Sequence, residues 1–215
     1  MPSRIPVTSQ RGLHPRLDQT VLRHWRTSWR QPIRDHSRRA FDSIEPLATR
    51  ACALILDTGC GVGESTAHLA RLHPDALVIG VDKSAHRLAR SPKLPDNARL
   101  VRADLTDFWR LVRAAGWRLR EHALYYPNPW PKPEHLGRRW HGHPVFPDLL
   151  ALGGRLELRT NFEIYAREFA RAIALTLSQH AEVVSLRADN PVTPFERKYA
   201  ASGHDLYRVI VNLDS

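Results

Sequence analysis

A chain of 215 residues suffices for one sizeable domain with appended segments, and its 42% hydrophobic content is ordinary for a globular protein. Its 32 basic against 22 acidic side chains give a net charge of +10, a field that favours an anionic partner, nucleic acid before membrane. Two cysteines, Cys52 and Cys60, lie outside any CxxC pair and exclude a disulfide framework or zinc site; with no apolar run of signal or membrane-spanning length, a soluble, cytoplasmic protein is expected.

Residues 1–50 hold ten Arg against four acids, more than half of the net charge. Trp25 and Trp29 stand one helical turn apart within them. That spacing predicts two aromatics packing a short helix onto the main domain. The charge also fits a basic arm that tracks a phosphate backbone. Residues 1–50 are therefore expected to form a basic helical extension, and residues 51–215 the main domain.

From Ala53 the pattern becomes regular. Strands are predicted over Ala53–Asp57, Leu77–Asp82, Arg99–Arg102, His122–Tyr126, Arg155–Thr160, Glu182–Leu186 and Leu206–Leu213. Helices are predicted over Glu64–Leu72, Ser84–Arg90, Thr106–Ala115, Pro144–Leu152 and Phe162–Gln179, the last with Phe162, Tyr165, Phe169, Ile173 and Leu177 at helical spacing. Alternation of this kind means an α/β fold, a mostly parallel sheet covered on both faces.

The turn after the first strand reads Leu56-Asp57-Thr58-Gly59-Cys60-Gly61-Val62-Gly63. A dinucleotide fingerprint would need a glycine where Glu64 stands, and an acid there would oppose a pyrophosphate at the helix N-terminus. GxGxG with a preceding acid resembles motif I of class I S-adenosylmethionine (SAM)-dependent methyltransferases, whose cofactor carries a cationic sulfonium and an α-amino group. Asp82 ends the second strand, where a carboxylate can accept both ribose hydroxyls. Asp104 follows the third, placed for the adenine amine with Ala103 beside it, although a strand-end Asp also suits a helix N-cap.

After the fourth strand comes Tyr125-Tyr126-Pro127-Asn128-Pro129-Trp130-Pro131-Lys132. Proline fixes φ and removes a donor, so this is a stiff loop at the carboxyl end of a strand, where open α/β sheets bind ligands. The basic stretch His135-Leu136-Gly137-Arg138-Arg139-Trp140-His141 follows. His135, His141 and His143 could be metal ligands, but Arg138 and Arg139 between them would repel a cation, and no metal is expected. Trp130 and Trp140 suit either hydrophobic cover or base stacking.

This loop and the stretch after it resemble the tRNA (guanine-N7)-methyltransferase family, which carries Phe-Pro-Asp-Pro-Trp-x-Lys at this place. The family's Thr-Asp pair after strand five appears as Thr160-Asn161, followed by Tyr165, and its Thr-x-Phe-Glu segment as Thr193-Pro194-Phe195-Glu196. The resemblance spans about Leu54 to Val211. It implies a Rossmann-like methyltransferase domain with a seven-stranded, mostly parallel sheet and a C-terminal antiparallel strand. It implies SAM held by Asp57, Gly59, Gly61, Gly63, Asp82, Lys83, Ala103 and Asp104. It places Asn128 at the catalytic loop position and Lys132, Arg138, Arg139, Asn161, Thr193 and Glu196 on the substrate. The expected reaction is methyl transfer to N7 of a tRNA guanine of the variable-loop position 46 type, by a monomer.

Two family carboxylates are amides here, Asn128 and Asn161. Guanine N7 carries a lone pair and no proton, so its methylation needs orientation and a dry site rather than a strong base. Losing one charged hydrogen bond, about 1.5–3 kcal/mol, would slow guanine methylation without abolishing it. Asn also pairs with an adenine-like edge, and Asn-Pro-Trp is partly similar to the Asn-Pro-Pro-aromatic loop of amino-methyltransferases. Methylation of another base or a small molecule, and a non-catalytic RNA-binding role, are the alternative expectations.

Overall fold

The computed structural model describes residues 3–214. Its strands are β1 (Leu54–Thr58), β2 (Leu77–Asp82), β3 (Ala98–Arg102), β4 (Glu121–Tyr125), β5 (Arg155–Thr160), β6 (Glu182–Ser185) and β7 (Tyr207–Asn212), ordered β3-β2-β1-β4-β5-β7-β6 in one sheet. β1 pairs in parallel with β2 and β4, β2 in parallel with β3, and β6 antiparallel with β7. This is the seven-stranded, mostly parallel sheet with a C-terminal antiparallel strand.

The helices are α1 (Leu17–Trp25), α2 (Asp35–Ala48), α3 (Glu64–Leu72), α4 (Ala85–Leu88), α5 (Leu105–Ala114), α6 (Phe146–Leu150), α7 (Glu163–Leu177) and α8 (Pro194–Ala201). The chain divides into two compact units. One joins Gln31–Tyr125, Asp148–Leu156 and the C-terminal residues from Asn212. The other joins the N-terminal residues through Arg30 with Tyr126–Pro147 and Glu157–Val211.

In the first unit β1 and β4 are buried at every residue, the signature of strands covered on both faces. α2 docks on α5 through Phe41, which stacks on Trp117 at 4.9 Å and meets Phe108 edge-on at 5.8 Å. A Cβ on Gly80 would lie 2.3 Å from Thr66 Oγ1, so glycine on β2 is what lets α3 lie close to the sheet.

In the second unit α1 buries Leu17 and Val21, and Asp18 pairs with Arg171 of α7 at 2.5 Å. The basic N-terminal segment is thus folded, and its two halves belong to different units: α1 to one, α2 to the other. The two tryptophans do not share a helix face. Trp25 ends α1 and is 39% exposed, whereas Trp29 lies beyond the helix and packs edge-on against His143 at 4.9 Å. α8 and the short 3-10 turns Pro133–Arg138 and Trp140–Gly142 had no helical periodicity in the sequence; they are too short for it.

Candidate functional site

The glycine-rich turn opens α3 in the first unit. Gly59, Gly61 and Gly63 take φ of 78°, 61° and 81°, the left-handed region that glycine enters without strain. Cβ atoms on Gly59 and Gly61 would meet nothing within 4 Å, so conformation rather than crowding demands glycine, and space remains beside the turn.

Asp82 ties the turn down. Its Oδ2 accepts from the Gly61 amide at 3.1 Å and its Oδ1 from the Ser84 amide at 2.8 Å, with Arg87 Nη2 at 3.3 Å. The Ala103 amide donates to the Asp82 carbonyl at 3.3 Å, and Lys83 is exposed beside it. Asp57 is buried, and its Oδ2 accepts from Ser65 Oγ and Thr66 Oγ1, each at 2.6 Å. Burial raises its carboxyl to about 6, against the pull of the two hydroxyls. A carboxylate desolvated among neutral donors gains from a cation, which fits the charge of the expected methyl donor.

Asp104 serves first as a cap. Its Oδ1 accepts from the Thr106 amide at 3.0 Å and Thr106 Oγ1 at 2.7 Å at the start of α5, and its Oδ2 faces Arg34 Nη1 at 3.4 Å. Of the eight residues expected to hold cofactor, Gly61, Asp82 and Ala103 are joined by hydrogen bonds; Asp57 and Asp104 stand on the strands that flank β2 or directly after them.

The proline loop lies in the second unit. Asn128 is exposed, and its Oδ1 accepts from the Trp130 amide at 3.3 Å. Tyr126 and Trp130, on either side, take φ of 50° and 44°. Trp130 meets His135 edge-on at 5.4 Å and carries the Arg138 guanidinium 4.8 Å above its ring, a cation–π contact. Arg138 and Lys132 are exposed, as phosphate-facing residues would be.

Arg139 is different. It was expected to touch substrate, but it is fully buried and pairs with Glu168 of α7 at 2.5 Å. It therefore holds the protein's own backbone and cannot grip a phosphate. His141 is buried too, with Nε2 2.9 Å from Glu168 Oε2. Burial lowers the His141 pKa, and a neutral ring donates one hydrogen bond to a carboxylate that Arg139 and His141 together keep below its ordinary range. Among the described residues no group of three or more His, Cys, Asp or Glu could hold a metal ion, and no helix is long and apolar enough to cross a membrane.

The remaining substrate candidates are inward-facing. Thr193 Oγ1 accepts from the Glu196 amide at 2.9 Å and caps α8. Glu196 is 1% exposed and takes Arg159 Nη1 on both oxygens, at 3.0 and 3.2 Å, while Arg159 Nε donates to Glu157 at 2.7 Å. Burial lifts the Glu196 carboxyl despite Arg159. Asn161 Nδ2 lies 3.0 Å from His204 Nδ1, and His204 stacks on Tyr199 at 5.1 Å. Sequence reasoning missed Arg159, His204, Glu168 and Gln10. The one available signal was Glu168, set among the apolar positions of α7, since a carboxylate among buried positions needs a partner.

Residues 52–209 match the family model described as "Putative methyltransferase". The tRNA (guanine-N(7)-)-methyltransferase of Rubrobacter xylanophilus is 32% identical over 72% of this chain and 74% of its own. That of Halorhodospira halophila is 29% identical over 92% and 91%. Among solved structures, the 16S rRNA (adenine(1408)-N(1))-methyltransferase of Catenulisporales acidiphilia, in a variant with cosubstrate SAM, aligns with a TM-score of 0.54 at 16% identity, covering 80% of this chain and 91% of that one. "Structure of an Antibiotic Related Methyltransferase" aligns at 0.57 and 11% identity, over 85% and 96%. At such identities the structures show a shared fold.

Proposed function

Since the chain belongs to the tRNA (guanine-N7)-methyltransferase family and is a SAM-dependent methyltransferase, we propose that it methylates N7 of a guanine in tRNA, of the variable-loop position 46 type, acting as a monomer in the cytoplasm. SAM, when bound, supplies an electrophilic methyl group. Asp57, the glycines of the turn, Asp82, Lys83, Ala103 and Asp104 would hold it. The observation that carries the substrate assignment is the rigid Asn128 loop with exposed Lys132 and Arg138, in the same unit as the Thr193–Glu196 turn.

The acceptor atom needs no deprotonation, so the protein's work is placement. With its Oδ1 already accepting from the Trp130 amide, Asn128 would offer the base a weaker hydrogen-bonding edge than a carboxylate. Trp130, backed by Arg138, offers a face for stacking, and Lys132 and Arg138 offer charge for the flanking phosphates. Thr193 and Glu196 shape the base's surroundings, with Glu196 held by Arg159. Asn161 acts through His204 rather than on the base.

The test is a tRNA transcript in which guanine is replaced by 7-deazaguanine. The wild-type transcript should accept methyl groups and the deaza transcript none. Equal labelling of both would put the methyl group on another atom.

A further inference from the structure

The proline loop poses a problem of support. Prolines at 127, 129, 131 and 133 remove four backbone donors, so the segment must be held largely by its carbonyls. Arg139 does this. Its Nε donates to the Trp130 carbonyl at 3.2 Å, and Nη2 reaches the Pro131 and Lys132 carbonyls at 3.4 and 3.5 Å. A buried guanidinium needs a counter-charge, and Glu168 supplies it through Nη1.

Glu168 in turn fastens the N-terminal segment. Its Oε1 accepts from the His14 amide at 2.9 Å and from Gln10 Nε2 at 2.6 Å, while Gln10 Oε1 accepts from Arg139 Nη2 at 3.1 Å. Thr8 Oγ1 donates to the Pro131 carbonyl at 2.6 Å. Residues 8–14 thus close a ring around the loop's backbone. The ring encloses a strained segment: Tyr126 and Trp130 hold left-handed φ values that non-glycine residues keep only where the surroundings over-determine them.

We propose that Arg139 and Glu168 are the positioning pair of the proline loop, completed by Thr8 and Gln10, and that this ring fixes Asn128 and Trp130 in the geometry that receives the base. The second half of the statement rests on the tRNA reading; the first does not. None of the four is a catalytic residue, since each touches the loop backbone or another member of the ring.

Arg139 and Glu168 are buried, and their variants risk misfolding. The decisive variant is Thr8→Val with Gln10→Leu, which removes both strap contacts from half-buried positions. Amide hydrogen exchange at Trp130 and His135 should quicken by about tenfold in the double variant, as expected for loss of part-buried hydrogen bonds. Thr8→Ser, which keeps the donor, should stay at the wild-type rate. With saturating SAM, kcat on tRNA should fall about tenfold while KM for tRNA stays within about twofold, because placement rather than phosphate contact is lost.

Unchanged exchange at Trp130 and His135 would overturn the ring, whatever the activity. Faster exchange with unchanged kcat would overturn its role in placing the base. If the wild-type protein forms no 7-methylguanosine, the tRNA reading falls, and the exchange measurement still decides the ring.

Discussion

Asn161 Nδ2 lies 3.0 Å from Nδ1 of His204, and Nε2 of the same ring lies 3.1 Å from the Ser3 carbonyl. A carbonyl only accepts, so Nε2 carries the proton; Nδ1 is then an acceptor, and only a donor suits it. An amide at position 161 meets that need and a carboxylate does not. The amide at position 161 is therefore matched to its neighbour. In Asn161→Asp the carboxylate offers Nδ1 no donor, so this hydrogen bond is lost. Nitrogen-15 shifts of His204 should show the Nε2–H tautomer in the wild type and a changed Nδ1 resonance in the variant.

Asn128 stands on the exposed loop, its Oδ1 engaged only by the Trp130 amide two residues on. A carboxylate there can accept from guanine N1–H and N2–H, a charged pair of hydrogen bonds that an amide does not match. Asn128→Asp should raise kcat/KM for guanine methylation by about tenfold, near the low end of what one charged hydrogen bond contributes. Steady-state kinetics on unmodified tRNA measure it; a fall would mean that the loop reads another edge.

Asp82 and Asp104 should separate in their effects. Asp82→Asn turns an acceptor toward the Gly61 and Ser84 amides into a partial donor, loosening the glycine turn. SAM affinity by calorimetry should fall about tenfold or more. Asp104→Ala removes the cap of α5 as well as a proposed cofactor contact, so it should cost about 1 kcal/mol of stability in urea unfolding.

Two buried groups set opposing pH dependences. His122, with Nε2 accepting from Trp109 Nε1 at 3.3 Å, is driven by burial to about 3. Its folded value is depressed, so stability is present above the ordinary 6.5 and is lost as pH falls toward 3. Asp57 is raised from 3.8 to about 6, so its contribution is present below 3.8 and is lost as pH rises to 6. Between 3.8 and 6 the slopes, about 1.4 kcal/mol per pH unit each, offset one another.

Glu168, held below its ordinary 4.5, adds to the acid loss beneath that value. Burial of His141 adds to the acid loss of His122 below 6.5 while Glu196 adds to Asp57 against it, so urea unfolding should show a shallow fall from pH 6 to 4.5 and a steeper one below it. Asp57→Asn should remove the compensation, so that the decline begins near 6.5.

The fold was legible because its strands are short apolar runs ending at punctuating glycines, acids and prolines. β2 and β5 start and stop where the pattern places them. The positions of Asp57 and Asp82 were legible for the same reason: they sit at strand ends, where the chain order fixes their place. Arg139 was not. It stands beside Arg138 in one basic run, and only the fold decides that one guanidinium lies on Trp130 while the next turns inward to Glu168, 29 positions along the chain. Thr8, Gln10 and His14 were hidden by greater separation still, as polar residues in an arm whose partners are backbone carbonyls and a buried acid.

The proposed acceptor is N7 of a tRNA guanine. The direct measurement is incubation of the protein with methyl-labelled SAM and unmodified total tRNA, followed by digestion to nucleosides and identification of the labelled species. The expected result is label in 7-methylguanosine. Label confined to another nucleoside, or none in tRNA while the protein binds SAM, would contradict it.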